Sequence, residues 1–252
     1  VDCVIMAGGI HVALRPEESL VEGADFAVQG PGELPLKMIL EGAPPPSIPG
    51  LVWRKDGKTV LNPQSRLQAP DLDKAPFPIF RYKQDVVLLD GKIRPFTWKI
   101  QQRFGNWDGK NYDMISSRGC LYNCAYCCKG YHGPILRAGT ERIISELKYI
   151  RENHPEIRRF NFQDDSFFLG SDEWLKEFCG RMKKEVNLPY IVRMIPKYVT
   201  KERIELLRDS GVIYVTIGLE ASDRLNRTLF NRPQEIKSFL NAAHIIIGSG
   251  LY

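Results

Sequence analysis

The sequence predicts an α/β protein: part of a parallel sheet, an irregular stretch, and then a barrel or partial barrel of βα units. Three observations predict it. Residues 2–42 alternate strand-length and helical patterns with glycines at the strand ends, which is half of a parallel α/β sheet. Residues 43–50, Ala-Pro-Pro-Pro-Ser-Ile-Pro-Gly, form a stiff linker that marks a boundary. From Tyr112 onward four strand-then-helix units follow one another. Such repeats give parallel strands with right-handed crossovers, and a site at the carboxyl ends of the strands.

Taken in order, residues 2–7 are an apolar run of strand length closed by Gly8-Gly9, and Pro16 opens a short helix to Val21. Residues 24–29 form a second strand, and residues 32–40 a helix stopped by Gly42. Gly8, Gly9 and Gly30 are either tight turns or points where a ligand approaches the backbone. After the linker, residues 51–55 and 58–61 flank Asp56-Gly57 as a hairpin. Residues 62–80 are rich in proline. Residues 81–111 show no clear pattern; their Trp98, Phe104 and Trp107 line a pocket or pack as ordinary apolar residues. Strands are expected from Tyr112 to Ser116, over 157–162, 190–194 and 212–218. Helices are expected over 140–150, from Ser171 to Val186, over 200–209, and from Pro233 with Ile236, Phe239, Leu240 and Ala243 as its apolar face.

Composition narrows the class. At 252 residues the chain holds two modest domains. Its net charge of +5 is spread without a long basic run, so the surface is mildly basic and no nucleic-acid partner is expected. No apolar run reaches the ~18 residues of a membrane span, and no secretory signal is present. Six cysteines, three of them grouped, indicate a reducing, cytoplasmic setting rather than a disulfide framework. Cys3 and Cys179 lie in apolar segments and read as packing residues. Val1 opens directly into a strand and the last residues run off an apolar helix, which reads as a fragment of a longer chain.

The chemistry concentrates at residues 116–128, Ser-Ser-Arg-Gly-Cys-Leu-Tyr-Asn-Cys-Ala-Tyr-Cys-Cys. Gly119 frees the backbone to turn just past a strand, so Cys120, Cys124 and Cys127 converge on one object. Three thiolates suit soft metals. A zinc ion normally wants four protein ligands, with His132 available as the fourth. A 4Fe-4S cluster held by three cysteines keeps one iron without a protein ligand, where a small molecule binds. Cys128 stands beside the third ligand and is not needed. The other strand ends carry Gln163-Asp164-Asp165-Ser166, Arg193, and Gly218-Leu219-Glu220-Ala221-Ser222. Carboxylates there hold ammonium groups or hydroxyls and an arginine holds a carboxylate, or else each is a cap or ion-pair partner.

The cysteine spacing, with Tyr126 before the last cysteine, resembles the signature of the radical S-adenosylmethionine superfamily. "AGGIHVALRPEESLVEGADFAVQGPGELPLKMILEG" resembles the end of the Rossmann-like cobalamin-binding domain that precedes many of its members. Gly8, Gly9 and His11 match one element of that domain. Gly30-Pro31-Gly32-Glu33 matches its Gly-Glu-Gly-Glu turn, with Pro31 in place of the first Glu. The following hairpin and proline-rich run are also similar. The resemblance implies a cobalamin-binding part over 1–43, a linker with hairpin over 44–111, and a truncated partial (β/α) radical barrel over 112–252. It implies a 4Fe-4S cluster on Cys120, Cys124 and Cys127. It also implies S-adenosylmethionine contacts from Tyr126, Asp164, Asp165, Arg193, Glu220 and Ser222, and cobalamin contacts from Gly8, Gly9, His11, Gly30 and Glu33. The implied activity is formation of a 5′-deoxyadenosyl radical, with an electron donor such as a flavodoxin or ferredoxin, and cobalamin-dependent methylation of an unactivated carbon. Ring-forming cyclases of the same domain order, a radical enzyme that does not use cobalamin, and a non-enzymatic zinc- or iron–sulfur-binding module are the alternatives.

Overall fold

The computed structural model describes residues 3–21, 23–65, 68–78, 84–104, 109–128 and 133–252. Trp107 and His132 lie outside them. The chain forms two compact units, one of residues 1–72 and 118–136 and the other of 73–117 and 137–252.

The first unit is built on one sheet. Strand β1 (Met6–Ala7), helix α1 (Ile10–Leu14), β2 (Phe26–Val28) and α2 (Glu33–Leu40) follow in order, then β3 (Leu51–Lys55) and β4 (Lys58–Leu61). β1 and β2 pair in parallel, and β3 adds to β2 antiparallel with Ala27 opposite Val52. The hairpin read as part of the linker is therefore the far half of this sheet. Its turn needs positive φ at both central residues, and Asp56 (φ 50°) and Gly57 (φ 76°) supply it. Ala27, Val28, Ile48, Leu51 and Val52 are buried at the middle of the sheet. The first strand is shorter than expected: of the apolar run, Val4 and Ile5 are exposed and Cys3 is exposed rather than packed.

The second unit opens with a hairpin that the sequence reading passed over, β5 (Val86–Leu89) and β6 (Lys92–Pro95), then α3 (Trp98–Phe104) and β7 (Asn111–Met114). Asp90-Gly91 turns this hairpin with the same positive φ angles as Asp56-Gly57. The two-residue strands β8 (Ser117–Arg118) and β9 (Leu136–Arg137) form a short ladder of their own. There follow α4 (Thr140–Asn153), β10 (Arg159–Phe162), α5 (Asp172–Arg181), β11 (Tyr190–Met194), α6 (Lys201–Asp209), β12 (Val212–Ile217), α7 (Asp223–Thr228) and α8 (Ile236–Gly248). β7, β10, β11 and β12 make a parallel sheet in the order β12-β11-β10-β7.

Alternation along these strands sorts the side chains. Tyr112, Met114, Phe160, Phe162, Tyr190, Val192 and Met194 are buried on one face. On the other face Asp113, Arg193, Tyr214 and Thr216 are exposed, and the Asn161 and Gln163 amides donate to Asp113 at 2.7 and 3.0 Å. Helix periodicity supplies the cover for the apolar face: Ile143, Ile144, Leu147 and Ile150 of α4, Leu175 and Phe178 of α5, and Ile204 and Leu207 of α6 are all 0% exposed. Ser171 caps α5 and Thr200 caps α6, each side-chain oxygen accepting a first-turn N–H. α5 runs on as a π turn over Met182–Val186 and stops at Asn187 in the left-handed region. α8 starts at Ile236, not at Pro233, and buries Ala242 and Ile246; Leu240, expected inside, is exposed. α7 was not anticipated. No helix among the described residues is long and apolar enough to cross a membrane.

Two measurements check this packing. Phe178 meets Phe162, Phe167 and Tyr190 edge-on and stacks on Trp174 at 5.3 Å. Phe178→Ala is expected to cost about 3–5 kcal/mol in denaturant unfolding, and a loss below about 1 kcal/mol would contradict this core. On the surface, Arg181 Nε donates to Glu185 at 2.7 Å and Lys148 lies 3.3 Å from it, and these cations bring the Glu185 carboxyl down from 4.5 to about 2. A folded value below the unfolded one means stabilisation present above about pH 4.5 and lost as pH falls toward about 2. The difference in Tm between the protein and Glu185→Gln should be constant from about pH 7 to 5 and close below that; a gap that widens in acid would refute the assignment.

Candidate active site

The cysteine segment belongs to the first unit. It follows Gly119, whose φ of 96° is a left-handed value that a side chain resists. Tyr122 N–H points at Cys120 Sγ at 3.4 Å, a donor suited to a thiolate. Cys127 N–H donates to Cys124 O at 3.0 Å and closes a turn between those two residues. Cys124 is buried, Cys120 half-buried and Cys127 exposed; Tyr126 and Cys128 are exposed, and no cysteine is in a disulfide. Among the described residues no three His, Cys, Asp or Glu side chains draw together round a single ion. The donor set is all sulfur and one ligand short, which fits the cluster.

Glu33 reaches this segment. Arg118, two residues before Cys120, donates to its carboxylate at 2.5 Å. Glu33 is thus engaged with the base of the cysteine segment. Gly8 and Gly9 have open space where a side chain would stand, and His11 is exposed beside them. At Gly30 (φ 89°) the turn is fixed by buried Gln68, whose amide donates to Gln29 O at 3.1 Å and Pro31 O at 3.3 Å. Gln68 was not singled out in the sequence; its position in the proline-rich run gave no sign of it.

In the second unit the strand-end residues separate into two kinds. Asp164 is buried, 1% exposed. Ser116 Oγ donates to both of its oxygens at 3.1 and 3.0 Å, and Ser117 Oγ donates to one. Burial pushes this carboxyl up from its ordinary value, against the serine hydrogen bonds and the charge of Arg137. Asp165 is exposed, with no side-chain bond among the described residues. Arg193 projects from β11 and is exposed. Glu220 sits at φ 68°, in a three-residue turn closed by Ala221 N–H to Leu219 O at 2.9 Å. That turn is strained for a residue with a side chain. The Glu220 carboxylate folds over Gly218, where any side chain would collide with it. The Gly218 carbonyl accepts from Gln234 at 2.6 Å and from Arg232 at 3.5 Å. Ser222 caps α7 through its hydroxyl oxygen. Arg232, Gln234 and Arg137 were missed, since no motif marks them.

The family model described as the Radical SAM superfamily matches residues 114–252, more than half of the chain. A curated relative, the anaerobic magnesium-protoporphyrin IX monomethyl ester cyclase of Rubrivivax gelatinosus, is 21% identical over 272 residues, taking in 99% of this chain and 44% of the relative. The radical S-adenosylmethionine methyltransferase TsrM from Kitasatospora setae, solved with cobalamin and a 4Fe-4S cluster bound, matches with a TM-score of 0.75 at 19% identity, over 99% of this chain and 50% of that one. The cobalamin-dependent S-adenosylmethionine radical enzyme OxsB, solved with aqua-cobalamin, matches with a TM-score of 0.74 at 15% identity, over 98% and 35%. At these identities the likeness is one of fold. The chain spans half or less of the length of these proteins.

The burial pattern of the thiols has a direct test. In protein stripped of metal by a chelator, iodoacetamide should modify exposed Cys3, Cys127 and Cys128 first. Buried Cys124 should lag, and Cys179 should react last because burial also raises its thiol pKa. Mass spectrometry of timed digests reads the order. Labelling of Cys179 at the rate of Cys128 would show that α5 is not packed as described.

Proposed function

The chain belongs to the radical S-adenosylmethionine superfamily, and we propose that it cleaves S-adenosylmethionine at a 4Fe-4S cluster held by Cys120, Cys124 and Cys127 to functionalise an unactivated carbon, with cobalamin-dependent methyl transfer as the reaction. The observation that carries this is the all-cysteine donor set one ligand short of a closed cluster, in a chain whose first unit and barrel unit together follow the fold of TsrM and OxsB. Held by Cys120, Cys124 and Cys127 and reduced, such a cluster would supply the electron for cleaving a sulfonium–carbon bond and so for radical chemistry on the substrate.

The protein's own residues do the rest. Tyr122 N–H holds negative charge on Cys120 Sγ. Asp165 and Glu220 are the carboxylates available to an ammonium group or ribose hydroxyls, and Arg193 the cation available to a carboxylate. The strained backbone turn at Glu220, next to a Gly218 carbonyl that accepts from Gln234, sets where that side chain leaves the chain. Gly8 and Gly9 leave the backbone open to a large flat cofactor, and Gly30 carries the second turn of that surface. Cobalamin bound there is the proposed source of methyl-transfer chemistry. The reductant is a low-potential protein of the flavodoxin or ferredoxin kind. A second reading, ring closure, is favoured by the cyclase that aligns with 99% of the chain.

Anaerobic reconstitution of the protein tests the proposal. About four irons per chain are expected, with a reduced-cluster EPR signal that changes on adding S-adenosylmethionine. Cys127→Ser should lose the iron and Cys128→Ser should keep it. Asp165→Asn and Glu220→Gln should keep the cluster and weaken the S-adenosylmethionine response. Stoichiometric cobalamin absorbance would support methyl transfer or cyclisation. Iron without cobalamin would overturn the cobalamin part, and zinc without iron would overturn the whole.

A further inference from the structure

We propose that Asp164 is not a ligand contact but the positioning residue of the cysteine segment: its buried carboxylate fixes the two chain ends, Ser117 and Arg137, between which residues 118–136 are strung.

Four observations in the second unit carry this. The alternation that buries Phe160 and Phe162 continues to Asp164 and turns it away from the polar face on which Asn161 and Gln163 meet Asp113. Both of its oxygens are taken by Ser116 and Ser117, the last residues before the segment begins. At the other end, Arg137 lies with its guanidinium 4.3 Å over the Trp174 ring and donates from Nη2 to Phe167 O at 2.6 Å. Its Nε and Nη1 are buried with no hydrogen-bond partner among the described residues. Burial disfavours the Arg137 charge, and the negative charge of Asp164 opposes that effect. The ends are also joined directly, Ala138 N–H donating to Ser116 O at 2.9 Å.

The consequence follows from loop closure. A segment with loose ends samples many arrangements of its thiolates, and each must be given up when they close on one object. Fixing one end by hydrogen bonds to Asp164 and the other by the contacts of Arg137 beside that charge removes that freedom in advance, as the supports of metal ligands do. An amide at 164 would still accept a serine hydroxyl but would leave Arg137 as a buried cation without an opposing charge. The geometry also divides the Asp164-Asp165 pair: Asp165 meets solvent and ligand, Asp164 holds the chain.

The inference rests on the cysteine segment being a cofactor loop, so the test is made first without any cofactor. Hydrogen exchange of the metal-free protein is compared with Asp164→Asn and Ser117→Ala. Amides at 116–119 and 137–138 are expected to exchange about 10-fold faster or more in Asp164→Asn, less so in Ser117→Ala, with the α4 amides at 143–150 unchanged. After reconstitution, Asp164→Asn should take up iron about 10-fold more weakly and show a broadened EPR signal even before S-adenosylmethionine is added. Wild-type exchange with an altered response to S-adenosylmethionine alone would overturn the proposal and make Asp164 a ligand contact. If Asp164→Asn fails to fold, Ser117→Ala decides alone: faster exchange confined to the two ends supports the proposal, and unchanged exchange refutes it. Failure of the wild type to take up iron would refute the proposed function and leave the exchange result standing.

Discussion

A strand throws successive side chains to opposite faces, and in the second unit that single constraint separates stability from chemistry. Phe160 and Phe162 go one way and meet the helices; Asn161 and Gln163 go the other way and meet Asp113. Because β7 and β10 keep register, with Tyr112 beside Phe160 and Asp113 beside Asn161, their apolar residues form one layer and their polar ones another. The candidate site residues stand past the strand ends, where each side chain finds its own partners.

Much of this was legible. β3, β4, β11 and α6 lie where turn chemistry, branched side chains and caps put them, because in each case a local signal and the tertiary need agree. The cysteine spacing was legible because three thiols at fixed gaps within eight residues form a local pattern. The hairpin at Asp90-Gly91 carried the same turn signal as Asp56-Gly57 and a wholly apolar first strand, Val86–Leu89, and went unread although both signals stood in the sequence. α7 hides for another reason: its six residues, Asp223–Thr228, bury only Asn226, so no apolar stripe announces a helix.

The site was legible by residue type but not by role. Asp164 and Asp165 are the same residue in the same loop, yet one is buried among serines and the other faces solvent. Counting from Phe160 in steps of two would have told them apart. Ser222 stands beside Glu220 as a candidate contact, and its hydroxyl oxygen also caps α7. Arg137, Gln68 and Gln234 do their work through backbone carbonyls and a charge at a distance, and such roles leave no spacing in the sequence to find.

The stacking of Arg137 on Trp174 has a consequence of its own. The guanidinium lies 4.3 Å over the half-buried indole, and Phe178 stacks on the same ring at 5.3 Å and 6°. A substitution at either Arg137 or Phe178 therefore changes the surroundings of the same indole, one from a cation and the other from a core ring.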